Sequence, residues 1–229
     1  NQMQSESLLA IPMFVLMAAF LQTSGIGSDI YEFFHKWLGG VKGGLAMATV
    51  ATTAVIAAMS GVAATATIAM GLIALPEMIN RGYDKSLACG PVLAGGCLGP
   101  IIPPSTIMII MASYTGVSAG WLFVGGVLPG VGLAILFIIY IGVRCAINPK
   151  LGPAIPKAER PSWGEKFRVF GKVVAPIAII VLVLGCIYAG VATPTEAAGV
   201  GAFASLVYAL CTRKLTLKNL KASLVQTME

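Results

Sequence analysis

The stretch Gly99-Pro100-Ile101-Ile102-Pro103-Pro104-Ser105 interrupts an apolar run at residues 87–111, and Ser60-Gly61 interrupts a second run at residues 46–73. No continuous helix can pass through the first stretch, because proline lacks an amide hydrogen and displaces the carbonyl four residues before it. At bilayer depth such a break is tolerated only where protein or a water-filled cavity surrounds it. Two breaks close together, each beside hydroxyl residues, are typical of an ion or substrate site in a secondary transporter.

The composition excludes an ordinary soluble domain. The chain is 57% hydrophobic and 10% charged, with a mean hydropathy of +0.89, whereas soluble domains carry about 25% charged residues. The apolar segments 121–143 and 173–191 are long enough to cross about 30 Å of hydrocarbon. We therefore predict an all-α polytopic membrane protein.

The net charge of +6 comes from basic residues that lie between apolar segments and not in a patch with interleaved aromatic residues. This distribution argues against nucleic-acid binding and marks cytoplasmic loops by the positive-inside rule. The basic residues are Arg144, Lys150, Lys157, Arg160, Lys166, Arg168 and Lys172 in one loop, then Arg213, Lys214, Lys218 and Lys221.

Several classes of chemistry lack the residues they need. The five cysteines are scattered without metal-ligand spacing, so we expect unpaired thiols and no transition-metal site. HExxH, GxSxG and P-loop lysine motifs are missing, and the few acidic residues are too dispersed for a paired-carboxylate site. The chain is predicted not to be an enzyme, and transport would have to use an ion gradient.

Residues 1–42 are predicted to form a membrane-spanning helix, 8–26, and an interfacial amphipathic helix, 29–38. In the second segment aromatic residues recur at every third position with charged residues between them, which places Trp37 at headgroup level. His35, the only histidine, is expected on the polar face of this helix. A role in proton relay is not favoured.

Residues 43–115 are predicted to form a re-entrant hairpin, 45–75, and a broken helix, 87–112. A straight helix over 45–75 would be about 45 Å long, well beyond the apolar core. Ser60-Gly61 divides it into halves of about fifteen residues, each too short to span. A single crossing would also place the preceding basic residues outside. A single tilted helix is the alternative.

Residues 116–229 are predicted to hold three membrane-spanning helices, one cytoplasmic loop and a cytoplasmic amphipathic tail. The helices are 119–143, 173–191 and 195–211, and the loop is 144–172. Thr193-Pro194-Thr195-Glu196 precedes the last helix, with a capping hydroxyl, a proline suited to the first turn and an acid at the positive helix end. We interpret these four residues as a structural motif.

The hairpin tip is the first candidate site. Gly61 permits the chain to reverse, and Ser60 and Thr65 supply hydroxyl oxygens, which hard cations prefer. Carbonyls at the end of the first half-helix suit a cation, and the start of the second suits an anion. A packing seam of small residues explains the tip equally well.

The broken helix is the second candidate site. Its prolines and glycines leave carbonyl oxygens free to coordinate an ion. Ser105 and Thr106 stand where the helix restarts, so that a hydroxyl there both caps the helix and faces the cavity. A proline kink without a ligand is the alternative, and the clustering of polar groups at the break favours a site.

At these residues the chain resembles the large membrane subunit, the M-type permease, of tripartite ATP-independent periplasmic (TRAP) transporters. The resemblance covers essentially the whole chain. The most specific stretches are Ile102-Pro103-Pro104-Ser105 and Ala192-Thr193-Pro194-Thr195-Glu196-Ala197-Ala198, and others are 31–37, 43–46, 58–61, 73–76 and 81–85.

The resemblance implies an elevator-type, sodium-coupled importer with two inverted repeats, each contributing a re-entrant hairpin and a broken helix. This chain would hold the first set and the scaffold helices after it. It starts at Asn1 without an initiator methionine and ends at Glu229 without a terminating signal, so we expect a fragment cut at both ends. The implied sodium site is Ser60, Gly61, Gly99, Pro103, Pro104 and Ser105, and the implied substrate contacts are Thr65, Ser105 and Thr106.

One departure weakens the assignment of a particular substrate. Many relatives carry further serines after the Ser-Gly pair, whereas Val62, Ala63 and Ala64 follow it here. This removes possible side-chain ligands and leaves Thr65 and backbone carbonyls as candidates.

The resemblance also implies partners and a location. These are a smaller four-helix membrane subunit, a periplasmic substrate-binding protein and the bacterial inner membrane, with organic acids such as C4-dicarboxylates, 2-oxo acids or sialic acid as substrates. No cofactor is expected other than the coupling sodium ion. Two alternatives are a proton-coupled transporter of the same broken-helix type and a non-transporting scaffold subunit.

Overall fold

A computed structural model describes residues 6–156, 159–212 and 217–228, and over these ranges the chain is helical, without strands. Four described helices are long and apolar enough to cross a membrane, and the bent pair α1 and α2 could provide a fifth span. This confirms the predicted all-helical polytopic fold. The helices are α1 (Glu6–Thr23), α2 (Ile26–Leu38), α3 (Gly44–Ser60), α4 (Ala63–Asn80), α5 (Lys85–Gly96), α6 (Thr106–Thr115), α7 (Ala119–Ile147), α8 (Trp163–Tyr188), α9 (Pro194–Cys211) and α10 (Leu217–Met228).

The apolar run at 45–75 forms two helices, α3 and α4, and not one tilted helix. The chain reverses at Gly61, whose φ of 63° lies in the left-handed region that glycine adopts without strain. The helices then run back along each other, since the Thr49 hydroxyl near the start of α3 lies 3.8 Å from the sulfur of Met78 near the end of α4. The geometry is that of a hairpin.

The broken helix consists of α5 and α6, separated by residues 97–105. The Asp84 carboxylate starts α5 by accepting hydrogen bonds from two backbone N–H groups, of Ser86 at 3.0 Å and Leu87 at 3.2 Å. The end of α5 packs tightly on the hairpin, because a Cβ at Gly95 would lie 2.6 Å from that of Thr53 and one at Gly96 would clash with Thr67. Glycines therefore seat α5 against both arms of the hairpin.

Helices α1, α8 and α9 form a bundle that supports the hairpin tip. A Cβ at Gly201 of α9 would lie 2.6 Å from the sulfur of Met17 in α1 and 2.7 Å from a methyl carbon of Val183 in α8. Met59, at the end of α3, and Ile109 of α6 are buried in the same apolar cluster. The tip and the restarted helix thus rest on this bundle.

Helix α2, the predicted interfacial helix, packs along the start of α8. The ring centroids of Phe33 and Phe170 are 5.9 Å apart, and Lys172 pairs with Glu32 at 3.1 Å. Helix α8 begins at Trp163, inside the predicted loop 144–172, because a capping box stabilises its start. The Ser-x-x-Glu signal of that box, at residues 162–165, could have been found in the sequence.

Acidic and basic side chains connect α2 to the far end of the hairpin. His35 Nε2 lies 3.2 Å from Glu77 Oε1, and Arg81 contacts both Glu77 at 3.3 Å and Glu159 at 3.1 Å. The only histidine of the chain, expected on the polar face of α2, is half-buried and is part of a connection between α2, α4 and the loop after α7.

The loop between α7 and α8 is hydrogen-bonded to the base of the hairpin, where α3 begins and α4 ends. Three of its residues make backbone hydrogen bonds to the turns on either side of the hairpin. These run from Gly43 N–H to Gly152 carbonyl at 2.9 Å, from Asp84 N–H to Leu151 carbonyl at 3.0 Å and from Ile155 N–H to Gly39 carbonyl at 3.0 Å.

The predicted cytoplasmic tail is described only in part. Helix α10 lies against α1, where the Ser223 and Thr23 hydroxyl oxygens are 3.5 Å apart. Some residues of the predicted basic clusters and both chain ends lie outside the described residues. These are Lys157, Arg213, Lys214, Asn1 and Glu229, together with the side chain of Lys218.

We expect Gly43→Ala to destabilise the protein by about 2–3 kcal/mol. The φ of Gly43 is +74°, and an added Cβ would lie 2.6 Å from the sulfur of Cys145. Gly82→Ala is the matched control, because its φ is +79° and nothing lies within 4 Å of an added Cβ. Unfolding of the purified full-length protein measures both losses. Equal losses would contradict the close packing at the hairpin base.

Candidate functional site

The hairpin tip and the break between α5 and α6 lie against each other. A Cβ at Gly61 would lie 3.0 Å from both the Pro104 carbonyl oxygen and the Thr106 backbone nitrogen. The Thr106 hydroxyl donates a hydrogen bond of 3.3 Å to the Gly61 carbonyl. On the other side of the break, a Cβ at Gly99 would lie 3.2 Å from the Ala63 nitrogen. The fold thus joins the two candidate sites into one.

Four helix ends meet at this place. They are the C-terminal ends of α3 and α5 and the N-terminal ends of α4 and α6, which flank the contacts just described. A helix carries about half a positive charge at its N-terminus and half a negative charge at its C-terminus. The arrangement therefore has the polarity to hold a cation beside carbonyl oxygens and an anion beside backbone N–H groups.

The two buried serines hold the backbone of the site. Ser105 is completely buried, and its hydroxyl donates to the Pro100 carbonyl at 2.9 Å and accepts from the Met108 N–H at 3.4 Å. The Ser60 hydroxyl is 3.2 Å from the Val62 carbonyl oxygen and 3.3 Å from its nitrogen. Both side chains fix the positions of the carbonyl groups beside them.

The other predicted ion-site residues are also buried. Gly99, Pro103 and Pro104 have little exposure to solvent, and the Pro103-Pro104 peptide bond is cis. These three residues contribute backbone atoms to the break beside the hairpin tip. The structure brings them together with Ser60, Gly61 and Ser105.

The two threonines that are predicted to contact the substrate lie at different places in the site. Thr106 is half-buried and lies at the tip contact. Thr65 is half-buried in the first turn of α4, and its hydroxyl has no hydrogen-bond partner among the described residues. Of the two threonines, Thr65 is the one with a free hydroxyl.

The Thr193-Pro194-Thr195-Glu196 motif forms the start of α9. The Thr193 N–H donates to the Glu196 carboxylate at 2.8 Å, and the Glu196 N–H donates to the Thr193 hydroxyl at 3.3 Å. Pro194 is the first residue of α9. This reciprocal pair satisfies N–H groups that the helix itself leaves unpaired.

The part of α7 that covers the break was missed in the sequence. A Cβ at Gly126 would lie 2.7 Å from the Ile101 carbonyl oxygen, and one at Gly130 would lie 2.6 Å from Cγ1 of Ile102. These glycines form a GxxxG motif, a known signal for close helix packing in membranes. That spacing could have identified α7 as a neighbour of the site.

Nothing in the described part of the chain resembles a transition-metal centre. No group of three or more His, Cys, Asp or Glu side chains among these residues is placed to hold a metal ion. The possible ligands in the site are backbone carbonyl oxygens and hydroxyl oxygens, which are hard ligands.

Comparison with known proteins gives one consistent family. The model of the family described as "Tripartite ATP-independent periplasmic transporter, DctM component" matches residues 1–229. The C4-dicarboxylate TRAP transporter large permease protein DctM of Vibrio cholerae is 38% identical over 210 residues, covering 89% of this chain and 44% of that protein. The protein of the same name from Pseudomonas aeruginosa is 39% identical over 206 residues, covering 89% and 47%.

A third relative has a different named substrate. The ectoine TRAP transporter large permease protein TeaC of Halomonas elongata is 31% identical over 217 residues, which is 95% of this chain and 49% of that protein. The chain spans about half the length of the curated relatives it matches.

Proposed function

This chain belongs to the DctM family of tripartite ATP-independent periplasmic transporters, and on that premise we propose that it forms the first half of a sodium-coupled permease that imports small organic acids. The family is one of transporters and not of enzymes. We place the protein in the bacterial inner membrane, in keeping with its helices of spanning length.

The meeting of four helix ends at the hairpin tip is the observation that carries this proposal. Sodium is a small hard cation, and the carbonyl oxygens at the ends of α3 and α5 have the required ligand chemistry. The N-terminal ends of α4 and α6 supply backbone N–H groups for a carboxylate. Both ligands can then bind next to each other, and each neutralises part of the charge of the other.

The substrate class follows from the chemistry of the tip and from the names of the relatives. The names of the relatives mention C4-dicarboxylates, ectoine, isethionate and sialic acid, all of which carry an acidic group. Because Val62, Ala63 and Ala64 have no polar side-chain atoms and the Thr106 hydroxyl already donates to the Gly61 carbonyl, we assign recognition of the acid to backbone N–H groups and to the hydroxyl of Thr65. A C4-dicarboxylate is the first substrate to test.

The mechanism we propose is an elevator movement in which ion binding comes first. Sodium orders the contact between Gly61 and the Pro104–Thr106 backbone, and the carboxylate binds at the completed site. The hairpin and broken helix then move together against the bundle of α1, α8 and α9. The second half of the permease, a small membrane subunit and a periplasmic binding protein complete the system.

The position of the histidine gives proton coupling less support than the hairpin tip gives sodium coupling. His35 contacts Glu77, which lies about 24 Å along α4 from the hairpin tip. A proton held there would be far from the substrate. A scaffold subunit without transport would not need an opposed set of helix ends beside half-buried threonines.

The test is uptake into proteoliposomes that contain the full-length permease, its small subunit and its binding protein. The panel is labelled succinate, a 2-oxo acid, sialic acid, ectoine and isethionate. We expect uptake of at least one compound that requires both an inward sodium gradient and the binding protein. Uptake driven equally by a proton gradient without sodium would contradict sodium coupling, and no uptake of any compound would favour the scaffold alternative.

A further inference from the structure

A crevice of about 610 Å³ lies between α5 and α7. Its volume is in the range of cavities that bind small ligands. None of the residues that line it belongs to the candidate site at the hairpin tip. Its two walls are formed by Leu87, Gly90 and Pro91 of α5 and by Phe137, Tyr140 and Ile141 of α7.

The crevice is polar at one end only. Arg144, Asp84 and Ser86 line that end, which lies at the start of α5 and the end of α7. The Asp84 carboxylate is already engaged by the N–H groups that start α5. The guanidinium of Arg144 is exposed and makes no ion pair or hydrogen bond among the described residues. Arg144 and the neighbouring exposed Lys85 and Lys150 outnumber the Asp84 carboxylate, so the net charge at this end is positive.

The polar end is also the end rich in basic residues. Lys85 and Lys150 adjoin the lining residues in sequence, and both are exposed. By the positive-inside rule this is the cytoplasmic end. Basic pockets between membrane helices on that side are typical binding places for anionic lipid headgroups.

The apolar part of the crevice is open at the surface of the described chain. Leu136 is 62% exposed and Tyr140 is 61% exposed, and nothing lies within 4 Å of a Cβ added at Gly90. Exposed side chains on a helix as apolar as α7 suit contact with hydrocarbon. The opening, the apolar walls and the single cationic end together match a molecule with one acidic head and a hydrocarbon tail.

We propose that this crevice binds an anionic phospholipid of the cytoplasmic leaflet, with its phosphate at Arg144 and one acyl chain between α5 and α7. This site is separate from the carboxylate site, and its occupation does not depend on which substrate is carried. Its ligand enters from the bilayer and not from either aqueous side.

The experiment uses the full-length permease in vesicles of phosphatidylcholine that contain a photoreactive phosphatidylglycerol with the reactive group on its acyl chain. Cross-linked peptides are identified by mass spectrometry. We expect adducts on the α5 and α7 residues that line the crevice. A photoreactive phosphatidylcholine serves as the comparison lipid.

Two variants and a control make the assignment specific. Gly90→Leu fills the crevice and is expected to remove the adducts, while Gly132→Leu on α7, where an added Cβ also meets nothing within 4 Å, keeps them. Arg144→Gln is expected to lower phosphatidylglycerol labelling about fivefold and to leave phosphatidylcholine labelling unchanged.

The outcomes decide between this lipid and other occupants. Absence of crevice adducts in the full-length protein would overturn the proposal, because the remainder of the chain would then cover the crevice. Adducts that persist in Gly90→Leu would also overturn it. Equal labelling by both lipids with no effect of Arg144→Gln would overturn the assignment of an anionic headgroup.

Discussion

Gly61→Ala is expected to lower sodium-driven uptake about a hundredfold while the full-length permease still reaches the membrane. The added Cβ would lie 3.0 Å from the Pro104 carbonyl oxygen and from the Thr106 nitrogen, so the tip must move away from the break. Movement of this kind separates the helix ends that we propose hold the two ligands. It also strains the backbone, because φ at this position is +63°.

Gly116→Ala separates these two effects. Gly116 also ends a helix with a positive φ, +72°, but nothing lies within 4 Å of an added Cβ. This variant carries the same kind of backbone strain without a steric conflict at the site, and we expect uptake close to that of the wild type. Initial rates in proteoliposomes, normalised to the amount of protein, measure both. Equal loss in the two variants would show that strain, and not the contact of tip and break, causes the defect.

Ser105→Ala is expected to raise the sodium concentration needed for half-maximal uptake about tenfold. The variant leaves the Pro100 carbonyl and the Met108 N–H without their hydroxyl partner in a fully buried place. Loss of such a cap costs about 1–2 kcal/mol, and about 1.4 kcal/mol corresponds to a factor of ten in affinity. The carbonyl groups at the break would no longer be held in position for the ion.

Ser118→Ala is the control for this change. Ser118 occupies the same position at the start of α7, but its side chain makes no capping hydrogen bond there. We expect its sodium dependence to be unchanged. If Ser105→Ala retains the wild-type sodium dependence at saturating substrate, this hydroxyl does not position the carbonyl groups for the proposed sodium ion.

The elements of the site were predictable because their signals are local. Gly61 with its small neighbours indicates a chain reversal, and the prolines at 100, 103 and 104 exclude a continuous helix. The length of the apolar run at 45–75 then favours a hairpin over a single crossing. The ends of α3, α4, α5 and α6 follow from residues within one turn of each break.

The contact between tip and break could not be derived from such local signals. Gly61 and Thr106 are 45 positions apart, and their approach depends on how α5 packs against both arms of the hairpin. The same holds for the contact between His35 and Glu77, since the amphipathic pattern of α2 does not indicate which helix its polar face contacts. Local pattern indicates which face is apolar but not which neighbour covers it.

The small glycines of the hairpin tip and of the broken helix occupy two kinds of place in the structure. Gly95 and Gly96 are packing residues, because their missing Cβ atoms make room for Thr53 and Thr67. Gly61 instead lies between two helix ends and faces backbone atoms of the break. A sequence pattern of small residues does not distinguish these situations, and the structure does.

The central claim is that the hairpin tip and the broken helix together bind sodium. Its most direct test is the thermal unfolding of the purified full-length permease in sodium, potassium or choline chloride at equal ionic strength. A ligand that binds only the folded protein stabilises it by about 2.7 kcal/mol at a hundred times its dissociation constant. We predict a saturable rise in the melting temperature of the wild type with sodium alone, and no such rise for Gly61→Ala. Equal stabilisation by potassium, or an undiminished sodium response in Gly61→Ala, would contradict the claim.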